Sequence, residues 1–175
     1  KAPLPLGAPE AVAGYYATVF GPELAKGTGH EADPALFKPT SNAQTYLQSL
    51  YTAPAKGDFA AAAKVLSAGD PSQWSAHNAR YQPFFADFAQ RFGFDDVLLL
   101  DTEGNVVYTA YKGVDLGANV LGGSYRTTKL ADAYRQVETL GIATAEQRLG
   151  ERAVVQRVVG PPGVLVGLAV AQHHH

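Results

Sequence analysis

Cysteine is missing from all 175 residues, which excludes disulfides and thiolate–zinc sites but leaves the compartment open. Methionine is missing as well, so Lys1 is not a native translation start, and the chain reads as an excised piece of a longer protein. Histidine is scarce. Of the five present, His173, His174 and His175 read as the remnant of a purification tag. His30 and His77 remain, too few for a histidine-rich metal centre. No run reaches the roughly 18 apolar residues of a membrane span, although a span on either side of the piece stays open. Charge of one sign is also lacking: a formal net charge of -2 supplies no basic face for nucleic acid. Catalytic patterns are missing too. There is no nucleophile–base pair and no metal-ligand cluster, and neither the dinucleotide fingerprint nor a Walker sequence is present. Asp101-x-Glu103-Gly104 lacks the spacing and terminal glutamate of a calcium loop and reads as a hairpin turn. The expectation is a domain with no metal, no cofactor and no enzymatic activity of its own.

What is present suffices for one globular unit, since 46% hydrophobic content in a chain of this length can bury a real core. Residues 1–39 read as a proline-rich lead-in followed by a first helix from Pro9, where Val12, Tyr15, Tyr16 and Phe20 recur at helical steps. Gly and Pro between 21 and 39 mark an irregular connection. Thr40 or Ser41 can cap a second helix through Tyr46, Leu47, Leu50 and Tyr51, and Asp58 to Leu66 reads as a short third. The strongest helical signal starts with Asp70 as cap and Pro71 at the first position, and ends at Gly93. Trp74, His77, Tyr81, Phe84 and Phe88, widened by Phe85 and Phe92, form its apolar stripe. Pro83 interrupts the backbone bonding inside it.

The period then changes from helical to extended. Val97–Leu100 and Asn105–Lys112 read as two strands about the Asp101–Gly104 turn. In the second strand Val106, Tyr108, Ala110 and Lys112 should share one face. Thr128 can cap a helix to about Glu138. Residues 139–150 fit either a strand or a turn of helix. Arg152–Val159 and Val164–Gln172 read as a closing hairpin about Gly160-Pro161-Pro162-Gly163. This order predicts an α+β fold, an antiparallel sheet backed by the long aromatic helix.

The glycine-rich loop after the first hairpin carries most of the polar chemistry. Lys112 and Asp115 are placed to bracket a zwitterionic or carboxylate ligand through charge-assisted bonds, with a surface ion pair as the plainer alternative. Tyr108 and Tyr125 offer flat walls with a polar tip, Tyr108 being favoured over Tyr111 because it shares a face with Lys112. Arg126 can grip a carboxylate with its planar fork or lie solvated at a helix start. His77 and Tyr81 either point into the same pocket or belong to the helix core. Gly117, Gly122 and Gly123 let the backbone fold over a pocket.

Three stretches carry a family likeness: Trp74-Ser-Ala-His77-Asn-Ala-Arg-Tyr81-Gln-Pro83; Phe92-Gly-Phe94 through Asp101-Thr-Glu-Gly104 to Lys112; and Asp115-Leu-Gly-Ala-Asn119. Upstream Tyr46-Leu-Gln48-Ser-Leu-Tyr51 adds to them. Together they resemble the extracellular Cache sensor domains, PAS-like modules of bacterial transmembrane receptors, in the subgroup attached to nucleotide cyclases, histidine kinases and chemoreceptors. The likeness covers roughly residues 40–172 and implies a single PAS-like Cache module. It implies the periplasmic or extracellular portion of an inner-membrane receptor, anchored through the parent chain and able to form a homodimer. The likeness does not carry over the ligand's identity; the residues themselves suggest a small molecule, carboxylate or amino-acid-like, held by Tyr108, Lys112, Asp115, Tyr125, Arg126, His77 and Tyr81. Gly113 after Lys112, and Ile142-Ala-Thr-Ala-Glu-Gln-Arg-Leu149 after the crossover helix, depart from the family pattern and alter the far wall of its usual pocket. The rival expectation is a ligand-free dimerisation or protein-interaction module of such a receptor.

Overall fold

Glycine, capping side chains and a switch in hydrophobic period set the element order. It is seen in a computed structural model that describes residues 3–28, 33–140, 145–149, 153–159 and 165–172. Helix α1 (Ala8–Tyr15) runs through a π-helical turn (Tyr16–Phe20) into α2 (Gly21–Thr28). Helix α3 (Asn42–Leu47) starts at Ser41, whose hydroxyl accepts the Gln44 amide at 3.1 Å. It too continues through a π-helical turn, Gln48–Thr52. Helix α4 (Phe59–Ala62), capped by Asp58, is shorter than the expected 58–66.

The long helix α5 (Gln73–Phe92) ends as expected at Gly93, in the left-handed region at φ 68. Its start differs from the expectation. Ser72, and not Asp70, caps it by accepting the Ser75 amide. The Asp70 carboxylate lies one step outside the helix and ties it to α3, accepting from the Tyr46 hydroxyl (2.8 Å), the Ser72 amide (3.1 Å) and the Ser75 hydroxyl.

Five strands follow: β1 (Phe94–Leu100), β2 (Val106–Thr109), β3 (Ala145–Leu149), β4 (Ala153–Val159) and β5 (Leu165–Gln172). They form one antiparallel sheet in the order β2-β1-β5-β4-β3. Helix α6 (Lys129–Leu140) crosses between the hairpins, and the Thr128 hydroxyl accepts the Ala131 amide at its start. The open choice at 139–150 thus resolves as the end of α6 followed by strand β3. The Gly160–Gly163 turn, His30 and the terminal histidines lie outside the described residues. The fold is α+β.

One β-bulge decides which residues meet. Leu99 pairs with Tyr108 but Leu100 pairs with Val106, so Val107 has no partner and the alternation resets. Val106 joins Leu98, Leu100, Val120, Ala131 and Tyr134 on the α6 side of the sheet. Tyr108 and Ala110 join Val97, Ala89, Trp74 and Phe85 on the α5 side. The single face expected for Val106, Tyr108, Ala110 and Lys112 is therefore split. The strand also stops at Thr109, and Lys112 lies beyond it at φ 56.

Helix α5 turns inward only part of the expected stripe, Trp74, Phe85 and Phe88, beside a polar row that the stripe did not include. Ser75, Asn78, Gln82 and Ala89 are buried, with Phe85 partly so. Tyr81 (44% exposed), Phe84 (64%) and Phe92 (59%) face solvent, and so does His77. The polar row pays its burial cost through backbone carbonyls: Asn78 donates to Val65 and Leu66, and Gln82 donates to Ala63 (2.9 Å) and Ala110 (2.8 Å).

Candidate functional site

The residues expected to hold a ligand fall into three places. The first is a closed core knot. The Lys112 side chain is 1% exposed, and its ammonium nitrogen donates to Gln82 Oε1, to the Thr109 carbonyl at 2.5 Å and to the Ala110 carbonyl at 3.5 Å. It lies 4.3 Å from the centre of the Tyr108 ring and 5.7 Å from that of Trp74. The Tyr108 hydroxyl donates to the same Gln82 oxygen at 2.7 Å. Lys112 and Tyr108 do come together, but they spend their polar atoms on each other's surroundings. Burial lowers the Lys112 pKa to about 7, against the opposing pull of Asp96.

The second place is the outer surface. His77 and Tyr81 are exposed, and the Arg80 guanidinium stacks 5.3 Å over the Tyr81 ring. Arg126 is exposed on the far side of the loop, where its carbonyl accepts from Arg135 at 2.8 Å. These three are not brought to the other expected site residues.

The third place holds Asp115 and Tyr125, and here the fold builds something the sequence reading did not assemble. The chain from Gly113 to Thr127 lies against α1, α3 and β2. Gln48 donates to the carbonyls of Val114 (2.6 Å) and Leu116 (3.2 Å), Thr52 to that of Gly113 (3.3 Å), and Tyr125 to that of Val114 (3.1 Å). Backbone bonds Gly117–Val106 (2.9 Å) and Val106–Ala118 (2.8 Å) stitch the loop to β2. Gly117, at φ 81, approaches so closely that a Cβ there would stand 2.8 Å from Gln44 Cα. The loop is thus a fixed cover.

Asp96 stands beside this loop. It lies two residues before Leu98 in β1, and its charge acts on Lys112 and Tyr108 as well as on Tyr111. Its Oδ1 accepts three amides, from Val97 (2.6 Å), Ala110 (2.9 Å) and Tyr111 (3.1 Å), which holds the carboxyl in place where β2 ends. Burial, and next the charge of Asp115, push its pKa up to about 7 in spite of those bonds. Burial pushes Asp115 up to about 6, partly offset by the amides of Asp115 and Leu116. Both carboxyls keep partial contact with solvent. Among the described residues, no basic group lies within ion-pair distance of either, since the ion pairs there join Lys26–Glu23, Arg91–Asp87 and Arg135–Asp132.

Tyrosines close the surround. Burial raises the pKa of Tyr15, Tyr16 and Tyr125, and the Asp115 charge adds to each shift. Tyr16 is held by its hydroxyl, which donates to the Phe37 carbonyl (2.8 Å) and to Gln48 Oε1 (3.2 Å). Edge-to-face contacts run from Tyr15 to Tyr16, Phe20, Phe37 and Tyr125 at centroid separations of 5.2–6.0 Å. Thr109, paired across from Leu98, is fully buried, and its hydroxyl has no hydrogen-bond partner among the described residues. A separate hollow of about 70 Å³ lies outside Tyr125, between Thr40, Gln44, Asn119 and Ser124.

Asp96, Tyr15 and Tyr16 were missed as site residues. The usable signal for Asp96 was its two-residue step to Leu98 and Leu100, which puts a carboxylate on a buried face. Nothing local in the sequence could link Tyr15 to Asp115 across 100 positions. In comparisons with protein families, curated proteins and solved structures, nothing matches this chain.

Proposed function

We propose that this is a small-molecule-binding sensor domain of the Cache, PAS-like type, taking its ligand between the Asp96 face of the sheet and the 113–127 loop. The observation that carries the reading is a rigidly pinned polar loop over two partly buried carboxyls that have no cationic partner among the described residues. Such groups raise the free energy of the empty domain and are retained where a ligand uses them. The element order supports the Cache type: a long helix, a hairpin, a loop-and-helix crossover and a closing hairpin in a single antiparallel sheet. On this reading the domain is the extracytoplasmic part of a membrane receptor. No helix among the described residues is long and apolar enough to cross a membrane, so the anchoring spans would belong to flanking chain. No turnover is assigned to the domain. Ligand binding shifts the balance between two arrangements of the loop and α1 by the difference in its affinity for them.

A second reading rests on the outer face of α5. Phe84, Phe88 and Phe92 lie 4.8–6.3 Å apart in sequence along one side, continued by Phe94, and Phe84 and Phe92 are largely exposed. An exposed aromatic row of this kind fits self-association of the receptor. It makes the domain an interaction module, with or without a ligand.

A thermal-shift screen of small carboxylates, amino acids, amines, purines and sugars separates the two. A ligand at about 100 times its Kd adds about 2.7 kcal/mol, a clear rise in Tm. A hit weakened by Asp115→Asn supports the sensor. Silence across the library, together with a dimer dispersed by Phe84→Ser, overturns it in favour of the interaction module.

A further inference from the structure

We infer that the hollow outside Tyr125 is a binding site for a small oxyanion, held by the side-chain amide of Gln44 at its floor and by Lys38 and Arg126 at its mouth. The inference goes beyond the sensor reading and stands apart from it. The hollow shares only Tyr125 with the surround of Asp96 and Asp115.

Two segments far apart in the chain make the hollow. The 3-10 turn Pro34–Phe37 and the residues after it supply Leu36, Lys38 and Thr40, and the loop supplies Ala118, Asn119 and the stretch from Gly122 to Tyr125. They are locked together by the Ser124 hydroxyl, which donates to the Leu36 carbonyl at 2.9 Å, and by the edge-to-face contact of Phe37 with Tyr125 at 5.5 Å. The enclosed volume is about 70 Å³. A single water needs about 10–15 Å³ of such space, so the hollow has room for a group of about five heavy atoms. At Leu36, Gly123 and Ser124 it runs on into a shallower recess that Arg126 and Thr127 also line.

Gln44 is 2% exposed and held in place. Gly117 packs so closely that a Cβ there would stand 3.1 Å from Gln44 Cβ and 3.3 Å from its Cγ. Gln44 Oε1 accepts the Thr40 amide at 3.0 Å, whereas Nε2 donates to nothing among the described residues. Nor is that nitrogen sealed in the core, because the fully enclosed side-chain atoms without a partner there are Asn78 Oδ1 and Thr109 Oγ1. Nε2 keeps its remaining exposure where Gln44 borders the hollow. An acceptor placed there would satisfy N–H groups that the fold leaves open.

The other polar groups decide the sign of that acceptor. Asn119 already donates to the Glu103 carbonyl and to Asn105 Oδ1 and accepts the Leu121 amide, and the Tyr125 hydroxyl donates to Val114. Lys38 and Arg126 are exposed, and neither joins an ion pair among the described residues. No Asp or Glu among those residues lines the hollow or the recess. What stays open is therefore a set of donors and cations. An oxyanion offers several lone pairs in a group of this size and a charge that both cations attract. An ammonium would meet two like charges, and a neutral sugar would gain nothing from them.

An amide titration of the 15N-labelled protein tests the assignment, with acetate, phosphate and sulfate as probes and glucose and putrescine as controls. Sodium chloride holds the ionic strength constant. The expected result is saturable movement of the Gln44 side-chain NH2 resonances with one or more of the oxyanions, joined by the backbone amides of Gly122, Gly123 and Ser124. The oxyanion that saturates them at the lowest concentration distinguishes a carboxylate from a phosphate or sulfate group. Lys38→Ala and Arg126→Ala, both at exposed positions, should each weaken binding by up to about fivefold, and the double variant by about tenfold or more. Gln44→Glu keeps an oxygen for the Thr40 amide but sets a negative charge where the donor stood, and it should abolish binding. Unsaturated drift that is the same in the double variant overturns the inference, as does a Gln44 side chain that no oxyanion moves. Saturation by glucose or putrescine alone overturns the oxyanion class. Asp115→Asn keeps the sensor reading separate: oxyanion binding should persist in it, and loss of binding there would overturn a site outside the loop in favour of the one beneath it.

Discussion

Replacing Gln82 with leucine should be among the most damaging single changes in the protein. The side chain is fully buried and makes four hydrogen bonds: it donates to the carbonyls of Ala63 and Ala110 and accepts from Tyr108 and Lys112. Leucine fills nearly the same volume, so little of the effect comes from a cavity. Every partner, however, loses its bond in a site that water does not reach. A buried polar group left unsatisfied costs about 1–3 kcal/mol. Four such groups do not add fully, because Lys112 keeps the Thr109 carbonyl and can shed its proton. The expected loss is about 3–5 kcal/mol, a large share of the roughly 5–15 kcal/mol that holds a domain folded. With a urea slope of about 2 kcal/mol/M, the midpoint should fall by about 2 M. Equilibrium urea unfolding followed by circular dichroism measures this directly, with Phe84→Ser on the exposed side of α5 as a control expected within about 0.5 kcal/mol. A loss below about 1 kcal/mol for Gln82→Leu would refute the inward polar face of α5. A loss for Phe84→Ser as large as that for Gln82→Leu would mean that the aromatic stripe is buried instead.

Further outcomes follow from the same contacts. Gly117→Ala places a Cβ at positive φ and 2.8 Å from Gln44 Cα, so it should cost more than about 1 kcal/mol and lower Tm; an unchanged Tm would contradict the packing of the loop on α3. Asp96 and Asp115 have folded pKa values raised above the carboxylate norm. Their contribution is fully present below about pH 4 and is lost as pH rises through 6–7. Stability of the double asparagine variant should therefore fall less than that of wild type across pH 4–7, and the variant should be the more stable at pH 8. Lys112 has the opposite sign. Its folded pKa is lowered to about 7, so the unfolded chain binds more protons between about pH 7 and 10.5 and stability rises with pH there. Lys112→Met should remove that rise, and urea midpoints collected across the range would show a persisting rise if the amine were solvated.

Much of the architecture could be read from the chain, and the reasons for the failures are physical. The change of period near Gly93, the Asp101–Gly104 turn and the Thr128 cap are local signals, and all three mark real boundaries. The inward face of α5 is not a local property. Asn78 and Gln82 look like a solvated side until Val65, Leu66, Ala63 and Ala110, on other elements, supply the carbonyls that satisfy them, and Ser75 until Asp70 and Tyr51 do so. The bulge at Val107 leaves no mark in the residue types, yet it divides Val106 from Tyr108 and sends Lys112 away from the loop. Of the expected site residues, Asp115 and Tyr125 are gathered at one place, Tyr108 and Lys112 at another, and His77, Tyr81 and Arg126 at the surface. The two cations expected at the site are thus elsewhere, Lys112 enclosed in the core and Arg126 at the surface.

The most direct test of a ligand site beneath the 113–127 loop is an amide chemical-shift titration of the 15N-labelled protein with a compound that raises its Tm. The account predicts the largest shifts at Ala110, Tyr111, Asp115 and Leu116, whose amides bond to or adjoin the two carboxyls, with smaller ones at Tyr15 and Tyr125. Shifts confined to the outer face of α5, around Phe84 and Phe92, with the loop amides unmoved, would contradict it.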